Sequence, residues 1–246
     1  MQSTQPDALA RLGRAFFKYR DALFPLLLIA AAFGTRPRLA GTTRTDHVMD
    51  AVGVVVSASG QVLRALVVGF VYITRGGQNR RPWANSLVEG GIFGHSRNPL
   101  YVANMLILLG LAIVHNGWAM YLVVPLFAFM YMAIVRAEEQ YLGTRFGAAY
   151  EEYCQRVPRW IPRLQGLGTT TRQGSFNWLK VLRKEYGTPF AWLSGVLLLL
   201  VWEHYSVEAA AIDYVERNAI VIVWCVMAVL YGIVRELKLT GRLGTD

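Results

Sequence analysis

Apolar residues gather along this chain in long runs, without the strict alternation of a half-buried strand. Spanning helices need about 20 mostly apolar residues. The runs predict membrane helices at about 21–40, 48–73, 98–115, 118–135, 189–206 and 218–235. Pro25 interrupts the first run, and "GTRPRLAG" follows it. The second carries Gln61 and Arg64 inside apolar sequence. An arginine there is costly unless it faces the bundle interior or snorkels, so Arg64 is either paired for structure or functional. Only "HNGW" separates the third and fourth runs, which predicts a tight helical hairpin. The expected fold is therefore all-α, a polytopic integral membrane protein with about six transmembrane helices.

Composition agrees. Of 246 residues 54% are hydrophobic and only 17% charged, against about 25% charged in soluble domains. A net charge of +9 admits nucleic acid as a partner, but the apolar content makes the lipid bilayer the better explanation and nucleic acid is not expected. The basic residues also predict orientation. Twenty of the 25 fall in 1–20, 74–97, 136–188 and 235–246, while 36–47 and 207–217 hold four. By the positive-inside rule both termini and the 136–188 segment are cytoplasmic. The first twenty residues are too polar for a signal peptide, so the chain is expected to be used uncleaved. Cys154 and Cys225 form no CxxC motif or disulfide framework, and His47, His95, His115 and His204 show no metal-ligand spacing, so no metal is expected.

Polar chemistry concentrates in two segments on the predicted cytoplasmic side. The first, 75–101, reads RGGQNRRPWANSLVEGGIFGHSRNPLY. Its glycines permit close approach of a ligand to the main chain. "EGGIFG" is no dinucleotide fingerprint, because no strand or βαβ unit surrounds it. Pro99 suits the first turn of a helix and Asn98 its N-cap. The free amides of that turn favour an anionic group, although a plain cap beside an interfacial arginine reads equally well. The second segment, 135–163, reads VRAEEQYLGTRFGAAYEEYCQRVPRWIPR. Glu138 and Glu139 point about 100° apart on a helix, so one is expected to meet a ligand while the other pairs with Arg136 or Gln140. The two prolines of "RVPRWIPR" end the helix, and Trp160 and Ile161 suit an interfacial anchor. Beyond it, 164–188 reads as a linker and a basic amphipathic stretch. Trp178, Leu179, Val181 and Leu182 would face lipid there, and Lys180, Arg183 and Lys184 headgroups.

In this order around a short hairpin, the two segments resemble the isoprenylcysteine carboxyl methyltransferases and the related membrane phospholipid methyltransferases. The shared pattern stands here as Gly91-Ile92-Phe93 and Arg97-Asn98-Pro99-Leu100-Tyr101, followed by Glu138-Glu139, Phe146-Gly147, Tyr150, Tyr153 and Arg156-Val157-Pro158. The resemblance implies a methyltransferase core over 75–163, between N-terminal membrane helices (1–74) and, past the 164–188 linker, a C-terminal helix pair (189–246). It also implies S-adenosylmethionine bound in a cytoplasmic pocket. Gln78 falls where the family has a cofactor-contacting glutamine, and Asn85, Ser86, Leu87 and Val88 match its backbone-contacting stretch. Phe93 replaces a tyrosine and Asn98 the more usual histidine, whereas Arg97, Pro99 and Tyr101 are retained. Glu138 matches the glutamate that would neutralise the cofactor's amino group. Carboxyl-methylating relatives place an arginine where this chain has Ile134, which leaves amine, thiol and other lipid-like acceptors open beside isoprenylcysteine carboxylate. Glu139 is then the candidate base and Arg136 the candidate for orienting an anionic headgroup.

Methyl transfer from a sulfonium is a direct displacement, which asks for positioning and electrostatic support rather than a covalent intermediate. The rival expectations are an NAD(P)H-dependent membrane reductase of the sterol-reductase type, a fold-level analogy, and a non-enzymatic membrane protein such as a transporter.

Overall fold

The computed structural model describes residues 7–37, 43–70, 82–205 and 214–243. All regular structure among them is helical: α1 (Ala8–Gly34), α2 (Thr43–Phe70), α3 (Pro99–His115), α4 (Trp118–Phe146), α5 (Ala148–Arg156), α6 (Leu167–Gln173), α7 (Trp178–Glu185), α8 (Gly187–Glu203) and α9 (Tyr214–Leu239), with a 3-10 turn at Gly91–Gly94. The chain is an all-α polytopic membrane protein. Within α2, α4 and α9, the stretches Thr45–Phe70, Trp118–Phe146 and Asn218–Leu239 are long and apolar enough to cross a bilayer. The apolar helices α3 and α8 have 17 residues each, about 25 Å at 1.5 Å per residue, near the lower limit for a span.

The first helix departs most from expectation. It starts at Ala8, well before residue 21, and continues through Pro25. Asp7 sets its start by accepting a 2.7 Å hydrogen bond from the Ala10 N–H. Membrane helices tolerate an internal proline where neighbouring groups satisfy the freed backbone. Lys18, Arg20 and Asp21 lie inside α1, so its apolar part is short. The fourth helix also outruns its apolar stretch and carries the AEEQYLGTRF segment on the same rod.

Small residues set the packing. A Cβ at Gly53 would stand 2.6 Å from the Gly110 carbonyl oxygen, and one at Gly60 2.5 Å from that of Ala103. This close approach of α2 to α3 is the means by which membrane helices pack without a hydrophobic driving force. Between these points the buried Ser57 Oγ donates to the Ile107 carbonyl at 3.1 Å. The α3–α4 hairpin turns on Asn116 (φ 48°), whose side chain accepts from the Tyr121 hydroxyl at 3.1 Å. Asparagine tolerates that left-handed conformation better than most residues.

The 164–188 segment forms two short helices, α6 and, over the basic amphipathic stretch, α7. Asn177 caps α7, accepting from the Lys180 N–H at 2.9 Å. Trp178, Leu179 and Leu182 are exposed on this helix, whereas Glu185 is buried. Both cysteines are free.

Candidate functional site

Gly147 separates α4 from α5, with φ 54° and ψ −129°, a conformation that only glycine adopts at little cost. Its position redirects the chain so that α5 lies beside the 84–93 loop. Tyr150, Tyr153 and Val157 bury themselves there against Leu87, Leu142 and Phe146. The loop is held along its length. Tyr141 Oη accepts from the Ala84 N–H at 3.4 Å, Arg156 pairs with Glu89 at 2.7 Å, and Tyr153 Oη donates to the Phe93 carbonyl at 2.9 Å. Burial pushes the Tyr153 hydroxyl well above its usual range, and burial together with the Glu139 carboxylate does the same for Tyr150. Both therefore remain neutral phenols.

The polar knot before α3 is stitched to the PRWIPR segment. The Arg97 N–H donates to the Pro158 carbonyl and the Arg163 N–H to that of His95, both at 2.9 Å. Ser96 Oγ donates to the Trp160 carbonyl at 3.0 Å, and Asn98 Nδ2 to that of Arg159 at 3.1 Å. His95 is buried, with Nδ1 2.7 Å from the Arg163 carbonyl and Nε2 2.9 Å from Thr170 Oγ1. Asn98 does occupy the N-cap position, with Pro99 in the first turn, but its side chain makes no cap bond. It spends its amide on the facing segment instead.

These elements enclose a cavity of about 600 Å³. Its wall takes Asn85, Ser86, Leu87, Val88 and Phe93 from the loop, Arg97, Asn98, Pro99 and Tyr101 from the start of α3, and Glu138 and Glu139 from α4. Two sequence-predicted residues stand apart. Gln78 lies outside the described residues. Arg136 is not part of the wall; it pairs with Asp7 at 2.8 Å, about half exposed, on the side of α4 that meets α1.

The adjacent glutamates divide as helix geometry requires, but with other partners than expected. Glu138 Oε1 accepts from the Tyr101 hydroxyl at 2.9 Å. Glu139 is buried and receives Arg97 Nη1 at 3.0 Å, Arg159 Nε at 2.9 Å and Arg159 Nη2 at 2.6 Å. Neither Arg136 nor Gln140 is its partner. Three charge-assisted bonds thus engage both oxygens of Glu139, the residue read from the sequence as the candidate base. Burial opposes the charge on Arg97, but Glu139, Cys154 and Tyr150 together outweigh it and hold the guanidinium above its ordinary range.

Sequence reasoning missed several wall residues. Arg20, Asp21 and Phe24 come from α1, Arg64 from α2, Asn104 from α3 and Tyr131 from α4. Phe24, Tyr131 and Tyr101 form an aromatic row, with ring centroids 5.3 and 4.9 Å apart. Of these, only Arg64 carried a signal, a charge in apolar sequence. Near the start of α2, Asp46, Asp50 and Glu203 bring carboxylate oxygens within 4.8 Å of one another, a grouping across α2 and α8 that no spacing in sequence revealed. All three have interactions of their own in the fold.

Residues 50–149 match the family model described as phospholipid methyltransferase, so the family resemblance is borne out over that stretch. Two curated relatives are similar over about a third of the chain. The cobalt-zinc-cadmium resistance protein CzcN of Cupriavidus metallidurans is 41% identical over 81 residues, 32% of this chain and 37% of that protein. The nickel-cobalt-cadmium resistance protein NccN of Alcaligenes xylosoxydans xylosoxydans is 33% identical over 82 residues, 33% of this chain and 38% of that protein. The matched stretch thus spans little more than a third of each relative's length. No solved structure matches the chain.

Proposed function

We propose that this chain is an integral-membrane methyltransferase that uses S-adenosylmethionine and acts on a lipid-like or membrane-embedded acceptor. The observation that carries the reading is the convergence of two motif segments, some forty residues apart in sequence, on one cavity. The family match over 50–149 supports the chemistry. The residues present fit the cofactor. About 600 Å³ lies within the usual size of small-molecule sites, about 300–1,000 Å³. Tyr101 donates to one oxygen of Glu138, which leaves the other to accept from the cofactor's ammonium.

When bound, S-adenosylmethionine supplies a methyl group on a sulfonium, ready for in-line displacement by an acceptor lone pair. Arg97 would meet the cofactor's carboxylate at the α3 N-terminus, where the helix dipole adds to its charge. Glu139 and Arg159 act through Arg97: they fix its guanidinium without touching the ligand. Backbone groups of 85–88 would line the nucleoside portion. Phe93, Asn98 and Pro99 shape the wall between loop and helix. The cavity and both termini face the cytoplasm, where a soluble cofactor is available. Arg136, paired outside the cavity, has no role in this reading.

Membranes carrying the protein are incubated with radiolabelled S-adenosylmethionine and separated into lipid, protein and volatile fractions. Label entering one fraction in excess of membranes lacking the protein is expected. Purified protein that binds NADPH and not S-adenosylmethionine would return the reductase reading instead.

The names of the two relatives favour a second, compatible reading, in which the methyl transfer serves resistance to divalent metals. It predicts that a strain lacking the protein grows less well in cobalt, zinc or cadmium, and equal growth removes it.

A further inference from the structure

Gln61 and Arg64 of α2 are both engaged by the C-terminal segment, beyond the stretch that matches the family. Gln61 Oε1 accepts from Trp192 Nε1 of α8 at 3.3 Å. Arg64 is held by Glu185 at the end of α7, through Nε at 2.7 Å and Nη2 at 2.9 Å, and by Asn104 through Nη1. The Arg64 and Glu185 side chains are only 12% and 5% exposed. Their joint burial is expensive in desolvation, and an apolar pair of similar volume would serve packing at least as well. The retained charge has a use in view, because Arg64 lines the cavity.

Three of the five guanidinium N–H groups are taken by those bonds. Tyr101 and Asn104 stand one turn apart on α3, so they share a face. Tyr101 reaches Glu138 and Asn104 reaches Arg64. One face of α3 thus carries a polar row from a carboxylate to a guanidinium, both in the cavity wall. The charged side chains of that wall cancel: Arg20, Arg64 and Arg97 against Asp21, Glu138 and Glu139. A cofactor bearing sulfonium, ammonium and carboxylate adds one positive charge, which an acceptor with one negative charge balances.

We propose that Arg64 binds an oxyanion of the methyl acceptor, an amphiphile whose reacting form carries one net negative charge, and that Glu185 is its positioning residue. The assignment rests on the methyl-transfer reading above. It brings the C-terminal segment into the site, because the group that aims Arg64 belongs to α7. The bound oxyanion is either a carboxylate that is itself methylated or a phosphodiester beside the nucleophile. In the first case a carboxylate oxygen forms the new O–CH3 bond and no proton is released. In the second an amine, having lost its proton to water, forms the N–CH3 bond. In both the C–S bond breaks and its electron pair stays on sulfur, leaving S-adenosylhomocysteine.

The test uses the full chain in phospholipid nanodiscs. Bound cofactor is measured with radiolabelled S-adenosylmethionine. Transfer is measured to N-acetyl-S-farnesylcysteine, the carboxylate probe, and to phosphatidylethanolamine supplied in the disc, the phosphodiester probe. Because Arg64→Ala would strand a buried carboxylate, the informative variants are the paired R64M/E185M and the single E185Q. R64M/E185M should keep cofactor affinity within about twofold and lose about tenfold to a hundredfold in kcat/KM for the probe that wild type methylates. E185Q should raise the acceptor KM with kcat little changed, and R64K should fall between wild type and the paired variant. Wild-type kcat/KM in R64M/E185M overturns the assignment. So does a wild-type protein that binds S-adenosylmethionine and methylates neither probe, which leaves the cofactor reading standing. Failure of wild type to bind S-adenosylmethionine removes both.

Discussion

Glu138 and Glu139 are neighbours in sequence that the fold has given different work. Glu138 shares one hydrogen bond with a neutral tyrosine, while Glu139 is enclosed by two arginines. Their substitutions should therefore separate. Glu138→Gln keeps the shape but removes the charge, and S-adenosylmethionine affinity should fall about tenfold or more with little change in thermal stability. Unchanged affinity in a radioligand titration removes Glu138 from the cofactor's amino group. Glu139→Ala leaves Arg97 and Arg159 without their shared anion, a loss of about 3–5 kcal/mol for a buried pair broken on one side. A clear drop in the midpoint of thermal unfolding is expected, and an unshifted midpoint would show that water satisfies those arginines. Arg136→Ala, by contrast, breaks only a half-exposed bridge to Asp7. Such bridges contribute about 1 kcal/mol at most. Turnover should stay at the wild-type level, and a large loss in a methyl-transfer assay would return Arg136 to the site.

At the scale of elements, the site depends on a helix start and a helix break facing each other. The break is Gly147. A Cβ there would meet nothing within 4 Å, so Gly147→Ala strains the backbone without a clash. An L-residue held at that conformation costs about 1–3 kcal/mol. The strain would be relieved by swinging α5 away from the loop it holds. The variant should therefore lose cofactor affinity by more than its unfolding midpoint suggests, and wild-type affinity would show that α5 need not be held. This dependence explains what could be read in the sequence. The FG…Y…Y…RVP string was legible because it sits contiguously on one break and one short helix. The stitch from His95, Ser96, Arg97 and Asn98 to the PRWIPR carbonyls was not. It uses main-chain acceptors about sixty residues away, which leave no mark in the side-chain pattern. For the same reason Asn98 read as a capping side chain when its amide serves the facing segment.

For the whole molecule, hydropathy found the helices better than their ends. α4 continued past its apolar run because AEEQYLGTRF holds no proline, and its single glycine, Gly143, is tolerated inside the helix before Gly147. α1 began early because Ala10, Gly13 and Phe17 are buried along its first turns, Gly13 directly against the Ala133 carbonyl of α4, a close approach that a hydropathy window ignores. Arg20, Asp21 and Phe24 were missed with that boundary. The charge distribution nevertheless makes a global prediction that is independent of any boundary. With twenty basic residues in alternate segments and four in the others, the cavity end and both termini should face the cytoplasm. In a C154S/C225S background, Ala209→Cys and Thr245→Cys place one thiol in a sparsely basic segment and one at the basic C-terminus. A membrane-impermeant maleimide applied to intact cells should label A209C and leave T245C unlabelled until lysis. The reverse pattern would put the cavity outside, away from the cytoplasmic supply of S-adenosylmethionine, so one labelling experiment bears on orientation and on the proposed chemistry together.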